Sequence, residues 1–422
     1  MDETLNEKIR GLGIAREVTK FISAIDSLAT TVETAMDSLV PAHRSAHKEY
    51  DNYVEKYGTI TESGGKKSVR MRSHVHCHDF GVIERRLDRI HASQYVVPQT
   101  FLVALVSRYD ALLGGIVKVL LQLRPEVLKS SEKALTFAQL VDFDSIEAAR
   151  DFVIEKEIEN LLRKSHAEQF EWLEKKFDIQ LRKDLPSWPD FVEVTERRNL
   201  FVHADGVVSS QYIANCIAEG VILAPETKKG TVLSVNQTYF RKAHRVLLEL
   251  GVKLAQVLWR KVAPSEAEDA DEHLLLLTAD LLVDGKYEIA TVLLDFADTT
   301  LEKRHASEWY RLTFLTDRAL AYKLAGNKKK CTEILAHQDW SAVDDSFKLA
   351  EDVLSDRFES PARLMRKIGA AGVRRKGDYL HSPLYSDFRK SPLFASAFAD
   401  IFGSESHEEH LVIEEPSESK PN

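Results

Sequence analysis

Cysteine is scarce in this sequence. Cys77, Cys216 and Cys331 are the only three, widely separated and odd in number, which argues against a disulfide framework. Long apolar runs are also missing: the stretches 101–106 and 115–121 are separated by Arg108 and Asp110, and neither reaches the ~18 to 20 residues that a bilayer span requires. No transmembrane helix and no membrane partner is expected. The chain opens on Asp2, Glu3 and Glu7 instead of a basic segment leading into an apolar one, so no secretory signal is expected either, and these absences point to the cytoplasm. Basic charge is in deficit. A formal net charge of −9 excludes a general nucleic-acid coat, because phosphate binding is driven by lysines and arginines that displace counterions, so any RNA contact has to be local. No Gly-rich phosphate loop, no Ser-His-Asp arrangement and no carboxylate cluster of the metal-nuclease kind stands out, and Gly11-Leu-Gly13 is too short a match to count. Neither a cofactor nor a catalytic metal is expected.

What is present is ordinary globular usage, 44% hydrophobic and 29% charged, over 422 residues, which allows two or three domains with cores of their own. The periodicity is helical almost throughout. Amphipathic runs cover 5–39 and 42–57, separated by Pro41, and 62–67 reads as a turn between short extended pieces. From Pro98 the pattern strengthens, with Phe101, Leu102, Leu105, Leu112, Leu113, Ile116, Leu120 and Leu121 at helical spacing, the signature of a buried helix. Further helices are predicted over 145–163, 165–177, 189–203 and 239–260, and a hairpin over 221–224 and 231–235. The small, acidic stretch 263–272 reads as a solvated connection. Beyond it, turns centred on 281–287, 321–327 and 350–356 suggest three helical hairpins in loose register, similar to tetratricopeptide pairs without their strict period. The predicted architecture is therefore all-α: an N-terminal helical extension (1–97), a helical bundle with a small β-hairpin insertion (98–262), an α-solenoid of helical hairpins (273–403) and a disordered acidic tail (404–422).

The chemistry concentrates in 196–208. Asn199 and His203 are four apart, so on a helix they share a face, and Arg198 has the reach to join them. Leu200, Phe201 and Val202 supply an anchoring apolar side, and Gly206 a helix stop. A histidine in the last turn of a helix feels the negative end of the dipole, which favours its protonated form. An arginine presents a planar fork of donors suited to a phosphate whose charge grows in a transition state.

Arg198, polar Asn199, three apolar residues and His203 resemble the Arg-x4-His motif of the HEPN superfamily of nucleotide-associated helical-bundle proteins. Residues 105–113 are similar to the first helix of many members, and Gly206-Val-Val, Tyr212, a hairpin and a long closing helix follow the layout of a subgroup in bacterial defence proteins. The resemblance spans roughly 98–260. It implies a metal-independent endoribonuclease acting as a homodimer or higher homo-oligomer, with the Arg and His of two copies facing each other across a composite cleft. His203 would be general acid or base for attack by the RNA 2′-hydroxyl, Arg198 would stabilise the phosphorane-like charge, Asn199 would orient them, and the products would carry 2′,3′-cyclic phosphates. An antiphage or toxin effector is the implied role, with RNA as substrate and a protein partner at the C-terminal repeats; a non-catalytic scaffold that binds protein partners or RNA is the alternative. The tyrosine that some family toxins carry two residues after the histidine is Asp205 here.

Two weaker signals remain. His74, His76 and His78 share a face if 73–79 is extended, a spacing compatible with zinc, against the plainer reading of a polar, half-exposed strand. Asp110 interrupts an apolar helix and should have a partner, either Arg198 or Arg108, with a salt bridge that fixes the motif arginine as the favoured reading.

Overall fold

A computed structural model describes residues 3–63, 66–130 and 135–403 of the chain. Helix accounts for 76% of it and strand for 3%, which makes the protein all-α as expected. The chain divides into two compact units, Met1–Leu274 and Leu275–Asn422.

The first unit is built on a long helical hairpin, α1 (Glu3–Tyr57) and α2 (His74–Leu123), joined by a two-stranded antiparallel ribbon, β1 (Gly58–Ser63) and β2 (Lys66–Met71). The register pairs Gly58 with Met71 and Ser63 with Lys66, so the ribbon turns where the sequence placed a turn. Residues 64–65 lie outside the described residues. In α1 the buried residues Ile14, Val18, Phe21, Ile25 and Val32 form a narrow seam at steps of three, four or seven, the spacing of a helix packed along another helix. Both prolines that were expected to mark boundaries sit inside helices instead: Pro41 in α1 and Pro98 in α2. A proline deletes one backbone hydrogen bond and costs about 3 kcal/mol in a helix interior. Packing of α1 along α2 on both sides of each proline, Phe21 against Tyr109 and Tyr50 against Phe80, outweighs that local cost.

Pro98 does mark where burial begins. No described residue of α2 before it is buried, whereas Leu102, Leu105, Val106, Tyr109, Leu112, Leu113, Ile116, Val117, Leu120 and Leu121 all are. Contrary to the expectation from its interrupted apolar runs, α2 is long and apolar enough to cross a membrane by length and composition; half of that window is buried within the protein.

Around this half of α2 pack α4 (Ile146–Leu162), which follows the short α3 (Phe137–Val141), then α6 (Trp188–Ala204) and α8 (Gln237–Val262). The expected helices are all present, with their ends shifted by at most two residues. Ser145 and Ser165 cap α4 and α5 (His166–Phe177), and Pro189 sits in the first turn of α6. The segment between α7 (Ser210–Ala218) and α8 is not the expected hairpin. Its residues pair with the chain leaving α6 instead: Val207 bridges Val232, Val208 N–H donates to Thr231 O (2.8 Å) and Leu233 N–H to Gly206 O (2.9 Å). The stretch 263–272 is not a solvated connection either. It carries a 3₁₀ turn and the start of α9 (Ala267–Val283), with Ala270 and Asp271 fully buried and Asp271 ion-paired to Arg260. The expected extension and bundle therefore share one compact unit, and the division between units falls inside α9.

The second unit continues with α10 (Tyr287–Thr299), α11 (Glu308–Leu324), α12 (Lys328–Ala336), α13 (Asp345–Leu354), α14 (Glu359–Ile368), α15 (Lys376–His381) and α16 (Pro392–Phe402). The three expected turns fall between helices and contain left-handed residues: Gly285 (φ 72°), Gly326 (φ 84°) and Asp356 (φ 58°). Its core gathers Leu349, Val353, Met365, Tyr379, Tyr385 and Phe388. The acidic tail, 404–422, lies outside the described residues.

Candidate active site

The motif residues occupy the last two turns of α6, and the sequence explains why that helix stops where it does. Asp205 (φ 49°) and Gly206 (φ 77°) are both left-handed, and the N–H of each closes back on Leu200 O. A Cβ on residue 206 would lie 2.9 Å from Leu233 O and from the Phe201 ring, so glycine is required both for its φ and for the close approach of the 231–233 segment. This termination leaves His203 at the helix end.

One turn earlier, the helix is pinned from behind. Glu193, buried, accepts from Tyr212 Oη (2.8 Å), Tyr239 Oη (2.6 Å) and Arg197 Nε (2.7 Å), and the Arg197 guanidinium lies 4.0 Å over the Tyr239 ring. Of the two adjacent arginines, Arg197 is therefore structural. Arg198 points the other way.

Arg198 Nη2 donates to Asp110 Oδ2 at 3.0 Å, and the other carboxylate oxygen of Asp110 is 3.0 Å from His166 Nε2. Asp110 thus pairs with Arg198 and not with Arg108, and a single carboxylate from α2 ties together α5 and α6. His166 is buried, with its ring edge-on to Phe191 and tilted against Tyr109. Arg198 Nε is buried without a hydrogen-bond partner among the described residues.

These groups line a cleft of about 570 Å³ that contains Arg198, Asn199 and His203 together with His166, Glu196 and Asn215. All three predicted site residues are thus brought to one surface. His203 is exposed and makes no hydrogen bond or ion pair among the described residues, while Arg198 is mostly buried and held. The arrangement offers one fixed cation, one free imidazole and a half-buried carboxyl. Burial pushes the Glu196 carboxyl up from its ordinary range, against the opposing pull of its hydrogen bond from Asn215 and of His166 and Arg198. Burial likewise raises the Cys216 thiol, to about 12, so that it is inert behind the cleft.

Sequence reasoning missed His166, Glu196 and Asn215. His166 meets Asp110 across 56 residues of chain, and a histidine just after a capping serine carries no local sign of that partner. Glu196 was visible only by position: it precedes Asn199 by three and His203 by seven, which places it on their face of the helix.

The histidine tract is a different matter. Ser73 caps α2, so His74, His76 and His78 lie in a helix and not in a strand, and His76 leaves the face that His74 and His78 share. No group of three metal-ligating side chains occurs among the described residues. His76 stacks on Tyr57 with ring centroids 4.2 Å apart and accepts a structural role at the base of the ribbon.

No family model matches this chain, and no curated protein or solved structure shows significant similarity to it.

Proposed function

We propose that the protein is a metal-independent endoribonuclease of the HEPN type. The observation that carries this reading is the joint presentation of a clamped guanidinium, Arg198, and an unengaged imidazole, His203, on the wall of one open polar cleft. Asp110 orients the guanidinium, which leaves donors of its fork free to meet a phosphate whose negative charge grows during attack by the neighbouring 2′-hydroxyl. His203, at the exposed end of its helix, moves the proton, taking it from the 2′-hydroxyl or giving it to the leaving 5′-oxygen. Asn199, in the same wall, orients the pair. Two copies of the chain would pair so that both His203 side chains face a shared strand, and the hairpin helices of the second unit would form a short solenoid that takes a protein partner.

The test is incubation of purified protein with mixed-sequence RNA in EDTA. Wild type yields fragments with 2′,3′-cyclic phosphate ends, and Arg198→Ala and His203→Ala lower the rate by about 10² to 10⁴. Cleavage that is unchanged in both variants ends the assignment. A wild type that binds RNA or partners without cutting, and gains nothing from any dimeric state, supports the scaffold reading instead.

A further inference from the structure

A second imidazole lines the cleft, and the cleavage chemistry described above does not use it. His166 opens α5 behind its capping residue Ser165 and is only 7% exposed. Phe191, edge-on, and Tyr109, tilted, fix the plane of its ring. Its Nε2 is spent on Asp110 Oδ1 at 3.0 Å, and the other oxygen of the same carboxylate accepts from Arg198 Nη2. A carboxylate clamped on a guanidinium accepts at both oxygens, so Nε2 is the donor, and in the neutral imidazole the lone pair then sits on Nδ1. Nδ1 has no hydrogen-bond partner among the described residues, nor is it sealed from solvent, so it opens to the cleft that the ring lines.

That is the arrangement of a general base. A carboxylate fixes the tautomer and the orientation of the ring from one side, stabilises the imidazolium when it forms, and leaves the other nitrogen to meet the substrate. Asp110 performs this task and clamps the guanidinium at the same time, which ties the imidazole to the phosphate-binding cation through one side chain. Of the charged and titratable groups around the ring, Asp110 and Tyr109 come from α2, Arg198 and Glu196 from α6, and Arg163 and Lys164 from the cleft rim just before α5. Attack by a 2′-hydroxyl needs two proton transfers, one from the nucleophile and one to the leaving oxygen. His203 supplies one of them. It is exposed and reloads its proton from water, whereas the ring of His166 is held in the form that accepts one.

We infer that His166 is the general base and His203 the general acid of the proposed cleavage, so that one chain carries a complete acid–base pair. His166 Nδ1 takes the 2′-hydroxyl proton as the O2′–P bond forms. The P–O5′ bond breaks, and protonated His203 gives its proton to O5′, which leaves a 2′,3′-cyclic phosphate and a free 5′-hydroxyl. Arg198 meets the charge on the phosphoryl oxygens. The two imidazoles finish with their protonation states exchanged and are reset by exchange with water. The inference rests on the ribonuclease reading, and a dimer would then hold two whole sites instead of one shared between copies.

The test uses the full-length protein with two substrates, mixed-sequence RNA and a mixture of the four nucleoside 3′-(4-nitrophenyl) phosphates, whose leaving group departs without a proton. His166→Gln, which keeps a donor for Asp110, should lower the rate on both by about 10² to 10⁴. His203→Ala should lose as much on RNA and less than about tenfold on the nitrophenyl esters. In kcat/KM against pH, His166→Gln should lose the acid limb of the wild-type bell and His203→Ala the alkaline limb. Anisotropy with uncleavable 2′-O-methyl RNA should show wild-type affinity in both variants, and free imidazole should restore cleavage by His166→Ala, a response that a misfolded chain does not give. His166→Gln that cuts RNA at the wild-type rate with an unchanged bell makes His166 a structural partner of Asp110 and overturns the inference while the ribonuclease reading stands. Ester cleavage that survives His166→Gln but not His203→Ala, or the absence of imidazole rescue in a His166→Ala protein that still binds 2′-O-methyl RNA, also overturns the assignment. Wild type that cleaves neither substrate removes the ribonuclease reading and this assignment with it.

Discussion

At the residue scale the decisive group is Asp110. A carboxylate in an apolar helix is costly unless paired, and here it is paired twice, to Arg198 and to His166, both at 3.0 Å. Removing it leaves the guanidinium in place in the sequence but unguided. On the proposed ribonuclease reading, Asp110→Ala is expected to lower the single-turnover cleavage rate by about a hundredfold, the scale of loss that a misplaced catalytic group produces. Circular dichroism should still report the wild-type helix content, because Leu112, Leu113 and Ile116 carry the packing nearby. A second carboxyl behaves differently. Asp317, on α11, has the charge of Arg374 to oppose its burial, but burial wins and pushes it up from 3.8 to about 6. The folded state thus binds a proton more tightly than the unfolded one. The stability this contributes is full below pH 3.8 and is lost as the pH rises through about 6. Asp317→Asn should therefore raise the thermal midpoint at pH 8 by a few degrees, with the gain shrinking as the pH is lowered through 6 and gone below 3.8.

At the scale of elements, close approach is the controlling quantity. Gly251 lies in the middle of α8, and a Cβ there would come within 2.8 Å of the Phe21 ring and 2.9 Å of Leu112, both buried. Alanine is the better helix former by about 1 kcal/mol, yet the overpacking it imposes should win. Gly251→Ala is expected to destabilise the first unit by about 1 to 3 kcal/mol in urea titration. The junction of α8 and α9 offers a larger effect. Asp271→Ala removes the carboxylate ion-paired with the buried Arg260 and should cost about 3 to 5 kcal/mol by the same measurement, whereas a solvated linker at that position would show almost none. These same elements show what could be read from the chain beforehand. Capped amphipathic helices such as α5 and α8 were legible because their apolar period agrees with their caps, Ser165 and Asn236. The strand-like residues 221–235 misled because their partner, 206–208, is supplied by another part of the chain. Acidic 263–272 misled because burial of Asp271 depends on an arginine one helix away.

At the scale of the whole molecule, the motif trio was visible as a spacing, and its gathering on one cleft wall follows from that spacing on a single helix. What the spacing could not reveal is the part of the wall supplied by other helices, His166 from α5 and Asn215 from α7. The prolines were the other source of error, since local backbone chemistry favours a break where long-range pairing of α1 with α2 enforces continuity. That continuity has a mechanical corollary. Asp110 sits three turns past Pro98 on a rod that runs without interruption from the base of the ribbon, so its angular setting is locked to every residue before it. Inserting one residue between positions 98 and 110 would swing the carboxylate by about 100° around the rod and advance it by about 1.5 Å. The clamp on the guanidinium is in this sense geared to a shaft, and its phase is set far from the cleft it serves.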